Sequence, residues 1–462
     1  MEKNQIAAIL PRDKSGHQFV MYSDSCSGKT GTPEEKKFAE INSVLQKLDP
    51  QPEFICFPGD EIIGLTPDEE ELRSQWKFWL ENEMGWLDRK KTPLYNCPGN
   101  HTAYDKTSEN IFKEMLNHLP QNGPSGQEGL SYYIRKDTLL LIFVNTLNTD
   151  IGGEGHVEIE WLDKVLSENS DAKYKLVFGH HPVHPVRGMP LPYEHEINHE
   201  NGVLFWSILK KYNVFAYMCS HILIYDLQIH NGILQILSGG AGRTSRLVHL
   251  IQAALDEKGL QYQVLDTENQ IKHWLEWPID LPLSENWIPL EKGKNFSPKI
   301  EISNQVELSE NILVWKISGE NSAKHSVQTL LSGWNSGKFL STFWIGIVGK
   351  ENRLCILLRP EQDRSPTYWR GPLFKHNKSF EIQIMMHTGM GPGGILWREN
   401  DRDKWTSLES ASPWGTDRIS WPENWSVGFD GSNSSEASFL GRELNVVYHY
   451  KKVRLNEDHL EI

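Results

Sequence analysis

Five short polar clusters in the first half of the chain carry side chains with chemistry to offer. They are Asp24 with Cys26, Gly59-Asp60, Gly99-Asn100-His101, Gly179-His180-His181-Pro182, and Ser220-His221-Ile222-Leu223. Carboxylate, amide and imidazole groups supply the oxygen and nitrogen donors that borderline divalent cations take, and imidazole also moves protons near neutral pH. Each cluster alone reads as a cap or a turn. Position ties them together, because each one follows an apolar run of strand length.

The runs are residues 19–22, 54–57, 94–97, 176–178 and 214–218, and further strands are expected at 139–144 and 233–237. Helices must fall between them. Thr32-Pro-Glu-Glu35 offers a capping Thr, a Pro in the first turn and a Glu to close a capping box, ahead of an apolar face of Phe38, Ile41, Leu45 and Leu48. The same device at Thr66-Pro-Asp-Glu69 precedes Leu72, Trp76, Trp79 and Leu80. Strands alternating with helices from residue 17 to about 245 define an α/β domain. In open α/β sheets, ligands bind beyond the carboxyl ends of the strands, so the five clusters are expected to converge.

In this order, the loops resemble the calcineurin-like metallophosphoesterases, the superfamily of purple acid phosphatases and cyclic phosphodiesterases. That family's pattern is DxH, GD, GNH with an acidic residue after it, H, and GHxH, each following a strand. Flanking text agrees, in the His180-His181-Pro182 triplet, Tyr225-Asp226 and Ser238-Gly-Gly-Ala-Gly242. The resemblance implies a four-layer α/β/β/α sandwich and divalent metal, Mn, Fe or Zn. Two ions roughly 3.5–4 Å apart would clamp phosphoryl oxygens and activate a water. By matching, Asp60 bridges the ions, Asn100, His180 and His221 complete the second position, and His101 is the catalytic residue beside the leaving group.

The first position departs from the pattern. Asp24 is present, but the family's two further histidines are Cys26 and Leu223 here, Thr102 replaces the acidic residue after GNH, and Ser220 replaces a glycine. A thiolate suits a softer ion such as zinc, whereas leucine ligates nothing. One ion is thus expected on Asp60, Asn100, His180 and His221, with Asp24 assisting a second if one enters. Three accounts stay open: a one-metal phosphoesterase, a two-metal site with unusual ligands, or a changed reaction. Cys26, His181 and His184 are further candidates for metal or substrate contact, and His195 and His199 share the loop after His180. Cys97 and Cys219 also border motif loops, where small apolar residues at buried strand ends explain them.

With 47 Lys and Arg against 61 Asp and Glu, the formal charge of −14 repels phosphate backbones and anionic lipid. A small-molecule substrate is therefore expected, and neither nucleic acid nor membrane. No apolar run reaches the roughly 18 residues of a membrane span, and no leader is visible. Cysteines at 26, 56, 97, 219 and 355 show no framework, which fits a reducing cytoplasm. Ser23-Asp-Ser-Cys-Ser-Gly28-Lys29-Thr30 looks like a phosphate-cradling loop but lacks its first glycine. Residues 389–394 satisfy GxGxxG formally, yet Pro392 breaks the pattern.

At 462 residues, two cores are expected. The texture changes after about residue 265, so the first domain is assigned to 1–270, a linker to 271–295, and a second, all-β sandwich domain to 296–462. The latter shows short alternating segments at 339–348, 354–358, 380–386 and 444–450. Twelve of the 17 tryptophans lie between 274 and 425, and the texture is similar to concanavalin-like or jelly-roll domains. Core packing accounts for most of these rings, while Trp414, Trp421 and Trp425 are candidates for a loop platform. The sequence therefore reads as a metal-dependent phosphoesterase acting on a small phosphate ester through a metal-activated water. The alternative is a pseudoenzyme or repurposed pocket that binds or converts an apolar molecule without hydrolysing phosphate.

Overall fold

Alternation along one strand shows how the first half of the chain is layered. Leu139, Leu141 and Phe143 join one buried cluster, whereas Leu140, Ile142 and Val144 join another, as a period of two requires of a strand covered on both faces. The first cluster fills the space between two sheets and continues onto the outer, helix-covered face of one of them. The second receives Leu162, Val165 and Leu166 of helix Ile159–Glu168 and Phe205, Ile208 and Leu209 of helix His199–Lys211. Each such side chain, fully buried, stabilises the fold by on the order of 1.5–3 kcal/mol.

The structure is a computed structural model that describes residues 5–186, 195–279 except 243 and 246, 287–290, 311–321, 327–335, 342–358, 367–387, 390, 395–410, 422, 424–429 and 438–452. One six-stranded sheet has the spatial order Tyr225–His230, Ile233–Ser238, Ala216–Cys219, Tyr174–Phe178, Leu139–Phe143 and Tyr132–Lys136. Its central four strands are parallel. The other sheet runs Ile271–Trp277, Gly259–Asp266, His249–Asp256, His17–Met21, Phe54–Phe57 and Leu94–Asn96, with the last three parallel. Helices Pro33–Leu45, Glu69–Phe78 and Lys106–Met115 contribute Phe38, Ile41, Leu72, Trp76 and Phe112 to its cluster. This is the expected α/β/β/α sandwich.

Two local expectations shift. The first helix is capped by Thr32, whose Oγ1 accepts the Glu35 N–H at 3.2 Å, but the Glu35 carboxylate reaches back to the Gly31 N–H instead of closing the box on Thr32. The second helix is capped by Asp68 rather than Thr66, because its charged carboxylate accepts the N–H groups of both Glu70 and Glu71.

The sheet that contains His17–Met21 also runs past its expected limit. Residues 271–277, placed in a linker by composition, form an antiparallel edge strand against Gly259–Asp266. Beyond it lie two more six-stranded antiparallel sheets. One contains Asn311–Asn321, Lys378–His387 and Arg442–Lys452; the other contains Gln328–Trp334, Phe343–Val348 and Arg353–Leu358. Leu313, Trp315 and Ile317 face the other sheet across a shared core with Phe343, Ile345 and Trp425. Ile312 and Val314, on the opposite face of the same strand, join the first domain's apolar cluster together with Met385, Leu396 and Trp405. That sheet is therefore covered on both faces. Trp425 is a core residue 1% exposed, tilted against Trp315 and edge-on to Phe343, and not a loop platform. Trp414, Trp421 and residues 391–394 lie outside the described residues.

Candidate metal centre

Parallel strands end at the same edge, and the two sheets bring their carboxyl ends together. Strands His17–Met21 and Phe54–Phe57 deliver Asp24 and Asp60, and Leu94–Asn96 delivers Asn100 and His101. From the other sheet, Tyr174–Phe178 delivers His180 and Ala216–Cys219 delivers His221. The loops turn sharply. Asp24, Cys26, Asp60 and His221 all adopt positive φ, at 60°, 41°, 59° and 69°, a region costing non-glycine residues on the order of 1–2 kcal/mol each. The motif glycines also allow close approach: a Cβ on Gly59, itself at φ 106°, would lie 2.4 Å from His180 Nδ1, and one on Gly99 would lie 2.2 Å from Asp60 Oδ1.

Four of the sequence-selected side chains converge on one point. His180 Nε2 lies 3.0 Å from Asn100 Oδ1, 3.3 Å from Asp60 Oδ2 and 3.1 Å from His221 Nδ1, which is itself 3.0 Å from Asn100 Oδ1. His180 Nδ1 is 2.9 Å from the Pro58 carbonyl oxygen. A carbonyl only accepts, so Nδ1 donates to it, and in the neutral ring that a cation would require Nε2 carries the lone pair, aimed at other acceptors. Ser220 Oγ, in the glycine's usual place, also lies 2.9 Å from Nδ1.

That gathering of acceptors is the donor set a divalent cation fits. The Asp60 carboxylate also accepts the His101 backbone N–H at 2.9 Å. Burial penalises a charged His180, but Asp60 outweighs it and raises the imidazole's pKa, so without a cation Nε2 holds a proton toward Asp60 that a bound ion would displace. Asp24 is buried, accepts from Ser23 Oγ at 2.6 Å, and leaves Oδ1 without a hydrogen-bond partner among the described residues. Burial, with Asp60 nearby, raises its pKa to about 7. A cation would satisfy both the orphaned oxygen and the repelling carboxylates.

Cys26 Sγ groups with Asp60 and His101, their ligand atoms all within 4.8 Å of one another. Burial and then Asp60, Asp24 and Glu61 push its thiol pKa well up, so it ionises only opposite a cation. A cavity of about 400 Å³ opens here, lined by Cys26, Glu34, Ile63, His101, Leu223 and Thr244 among others. His101 sits in its wall with Nδ1 2.6 Å from the Ile63 carbonyl, which orients the ring. Leu223 occupies the wall beside Cys26's slot. Thr102, in place of the acidic residue, is turned inward, and its hydroxyl accepts the Gly99 N–H at 2.8 Å.

His181 touches the cluster from behind, its ring centroid 4.3 Å from that of His221, with Nε2 3.0 Å from Glu154 Oε1. His184 does not join: it stacks on His230 at 3.6 Å and packs edge-on against Trp206. Its segment turns toward strand Ile233–Ser238 because Gln235 Oε1 accepts the N–H groups of both Val183 and His184. His199 opens a helix. The phosphate-loop look-alike is closed by an acid, since Glu83 accepts the Gly28 N–H at 3.0 Å. Cys97 and Cys219 are fully buried, and all five cysteines are free thiols. Sequence reading missed Glu154, although it lies in a loop following strand Leu139–Phe143, and Glu61, fully buried and bonded through Oε1 to Asn96.

Residues 17–225 match the family model of the calcineurin-like phosphoesterases, and this part of the chain is a calcineurin-like phosphoesterase domain. Among solved structures, the chain is similar to the purple acid phosphatase PPD1 of yellow lupin, Lupinus luteus, at 14% identity over 57% of this chain and 54% of that one (TM-score 0.43). It thus spans about half the length of the lupin protein. It is also similar to GAP50, described as the anchor in the inner membrane complex of Plasmodium, at 14% identity over 58% and 90% (TM-score 0.41). A third is a dimetal phosphatase of Danio rerio, at 14% identity over 54% and 96% (TM-score 0.38). No curated protein matches the chain.

Proposed function

We propose that the protein is a metal-dependent phosphoesterase for a small-molecule phosphate ester, with a cation held by Asp60, Asn100, His180 and His221. The observation that carries this is the locked His180 ring: its Nδ1 is committed to Pro58, and its Nε2 meets Asp60 Oδ2, Asn100 Oδ1 and His221 Nδ1 within 3.3 Å. When bound, the ion would supply charge for the phosphoryl oxygens and a water acidified toward neutral pH. The chain's own residues do the rest. Ser220 and Pro58 hold the His180 ring, Ile63 fixes His101 through Nδ1 so that Nε2 is free to face a leaving group, and the cavity admits the ester's organic part. A cytoplasmic location is part of this reading and rests on cysteines without a disulfide; no helix among the described residues is long and apolar enough to cross a membrane.

Purified protein is expected to contain bound Mn, Fe or Zn and to hydrolyse an aryl phosphate, with both properties lost in His180→Ala. Metal-free, fully folded wild type would overturn the proposal. A second reading, a pocket that binds an apolar molecule without hydrolysis, is favoured by Leu223 and Ile63 in the cavity wall. The double change Cys26→His with Leu223→His separates the two. A large rise in phosphatase activity marks a deficient metal position, and no change marks a slot with another purpose.

A further inference from the structure

His221 uses its two ring nitrogens in opposite directions. Nδ1 faces Asn100 and His180, whereas Nε2 lies 3.0 Å from His195 Nδ1. Behind it stands the buried His181, whose Nε2 meets Glu154. Ligand atoms of Glu154, His181 and His221 all lie within 4.8 Å of one another. We propose that the far side of His221 is a second cation site, built from Glu154, His181, His195 and His221 Nε2, and linked through the His221 ring to the cation of Asp60, Asn100 and His180. This goes beyond the proposed metal centre but rests on it for the shared imidazole.

Three observations support the assignment. The donor set of one carboxylate and three imidazoles is that of a zinc-like ion. Tetrahedral coordination with bonds of about 2.0–2.1 Å places neighbouring donor atoms about 3.3 Å apart; the Glu154–His181 and His195–His221 contacts, both 3.0 Å, are close to that, while the Glu154, His181 and His221 group, spread over up to 4.8 Å, must draw together and His195, which reaches it through His221, must swing inward on binding. The His181 ring is held from behind, with Nδ1 2.8 Å from Thr146 Oγ1, the outer partner that a ligating histidine usually has. Binding at both nitrogens of His221 releases its ring proton to solvent.

The position also accounts for what the sequence lost. On the cavity side of the cluster, one histidine slot holds Cys26 and another holds Leu223. On the opposite side, Glu154, His181 and His195 gather where the family pattern names no ligand. A binuclear centre is thus retained with its second ion moved across His221.

The test is metal content. Full-length protein is stripped with chelator, reloaded with Zn²⁺, freed of excess and measured by elemental analysis, for wild type, Glu154→Ala with His195→Ala, and Asp60→Asn. Glu154 and His195 are not buried, and a second variant, Glu154→Gln, keeps shape while weakening the site, so folding is not the readout. The inference expects about two ions per chain in wild type and about one in the Glu154/His195 variant. Equal content in those two proteins would overturn it. If wild type holds about one ion, lost in Asp60→Asn but kept in the Glu154/His195 variant, the second site is refuted and the proposed centre stands. If wild type holds none, both fall.

Discussion

At Gly99, an added methyl group would lie 2.2 Å from an oxygen of Asp60, so Gly99→Ala must displace the carboxylate or the loop. The expected outcome is loss of bound metal with little change in the far-ultraviolet circular dichroism; unchanged metal content would refute the close approach. His101→Ala removes a side chain that touches the cavity but neither His180 nor His221. It is expected to keep the metal and to lower kcat by about 10²–10⁴, the usual range for a lost general acid, measured on an aryl phosphate. The positions that converge at the candidate metal centre were legible because their residue types recur after successive strands, an order that chance spacing does not produce. What escaped was whatever depends on how loops fold back. Glu154 is one acid among many in the sequence and gains meaning only when its loop crosses His181. His184 was a reasonable candidate by proximity in sequence, yet two backbone N–H groups bound to Gln235 turn its segment away.

Helix starts follow the same logic at the next scale. Asp105 caps helix Lys106–Met115, accepting the Ser108 N–H at 2.7 Å while Ser108 Oγ receives the Asp105 N–H at 2.9 Å. Asp105→Ala is expected to cost about 1 kcal/mol in urea unfolding, without altering metal affinity. The two sheets are also joined at an edge: Glu53 contacts His17 Nδ1 at 3.2 Å and Lys136 Nζ at 2.9 Å, one partner from each sheet. Burial raises the Glu53 pKa, but His17 and Lys136 outweigh it and bring it down from 4.5 to about 2. A lowered carboxyl pKa means that the folded state binds the proton less tightly than the unfolded chain. The clasp therefore stabilises fully above pH 4.5 and its contribution is lost as pH falls toward about 2. Melting curves of Glu53→Gln should lie below wild type at pH 7 and converge with it in that acid window; a constant gap would contradict the linkage. Sequence reading placed most strands within a few residues but ended the sheet that contains His17–Met21 early. Residues 271–277 contain Glu and Lys and border a proline, features shared by linkers and edge strands alike, and only pairing with Gly259–Asp266 distinguishes the two.

On the scale of the whole molecule, the second domain is fastened by more than a linker. The Ser407 hydroxyl accepts the Ile229 N–H at 2.8 Å, the Trp405 carbonyl accepts the Gly232 N–H at 3.2 Å, and the Trp274 ring packs at a tilt against His387 with centroids 4.7 Å apart. Trp405 is 7% exposed and lies within the first domain's apolar cluster. Trp405→Ala is expected to destabilise by about 3 kcal/mol and to lower the melting of both domains together, read as a single calorimetric transition; two separated transitions would show independent units. The β-sandwich texture was legible from alternation, whereas its docking was not, since a strand with apolar residues on both faces reads the same whether the outer face meets a helix, a neighbour or another domain. Because Ile312, Val314, Met385 and Leu396 are spent on that docking, one broad wall of the sandwich is already occupied, and severing the two halves for separate use would leave a raw greasy scar on each.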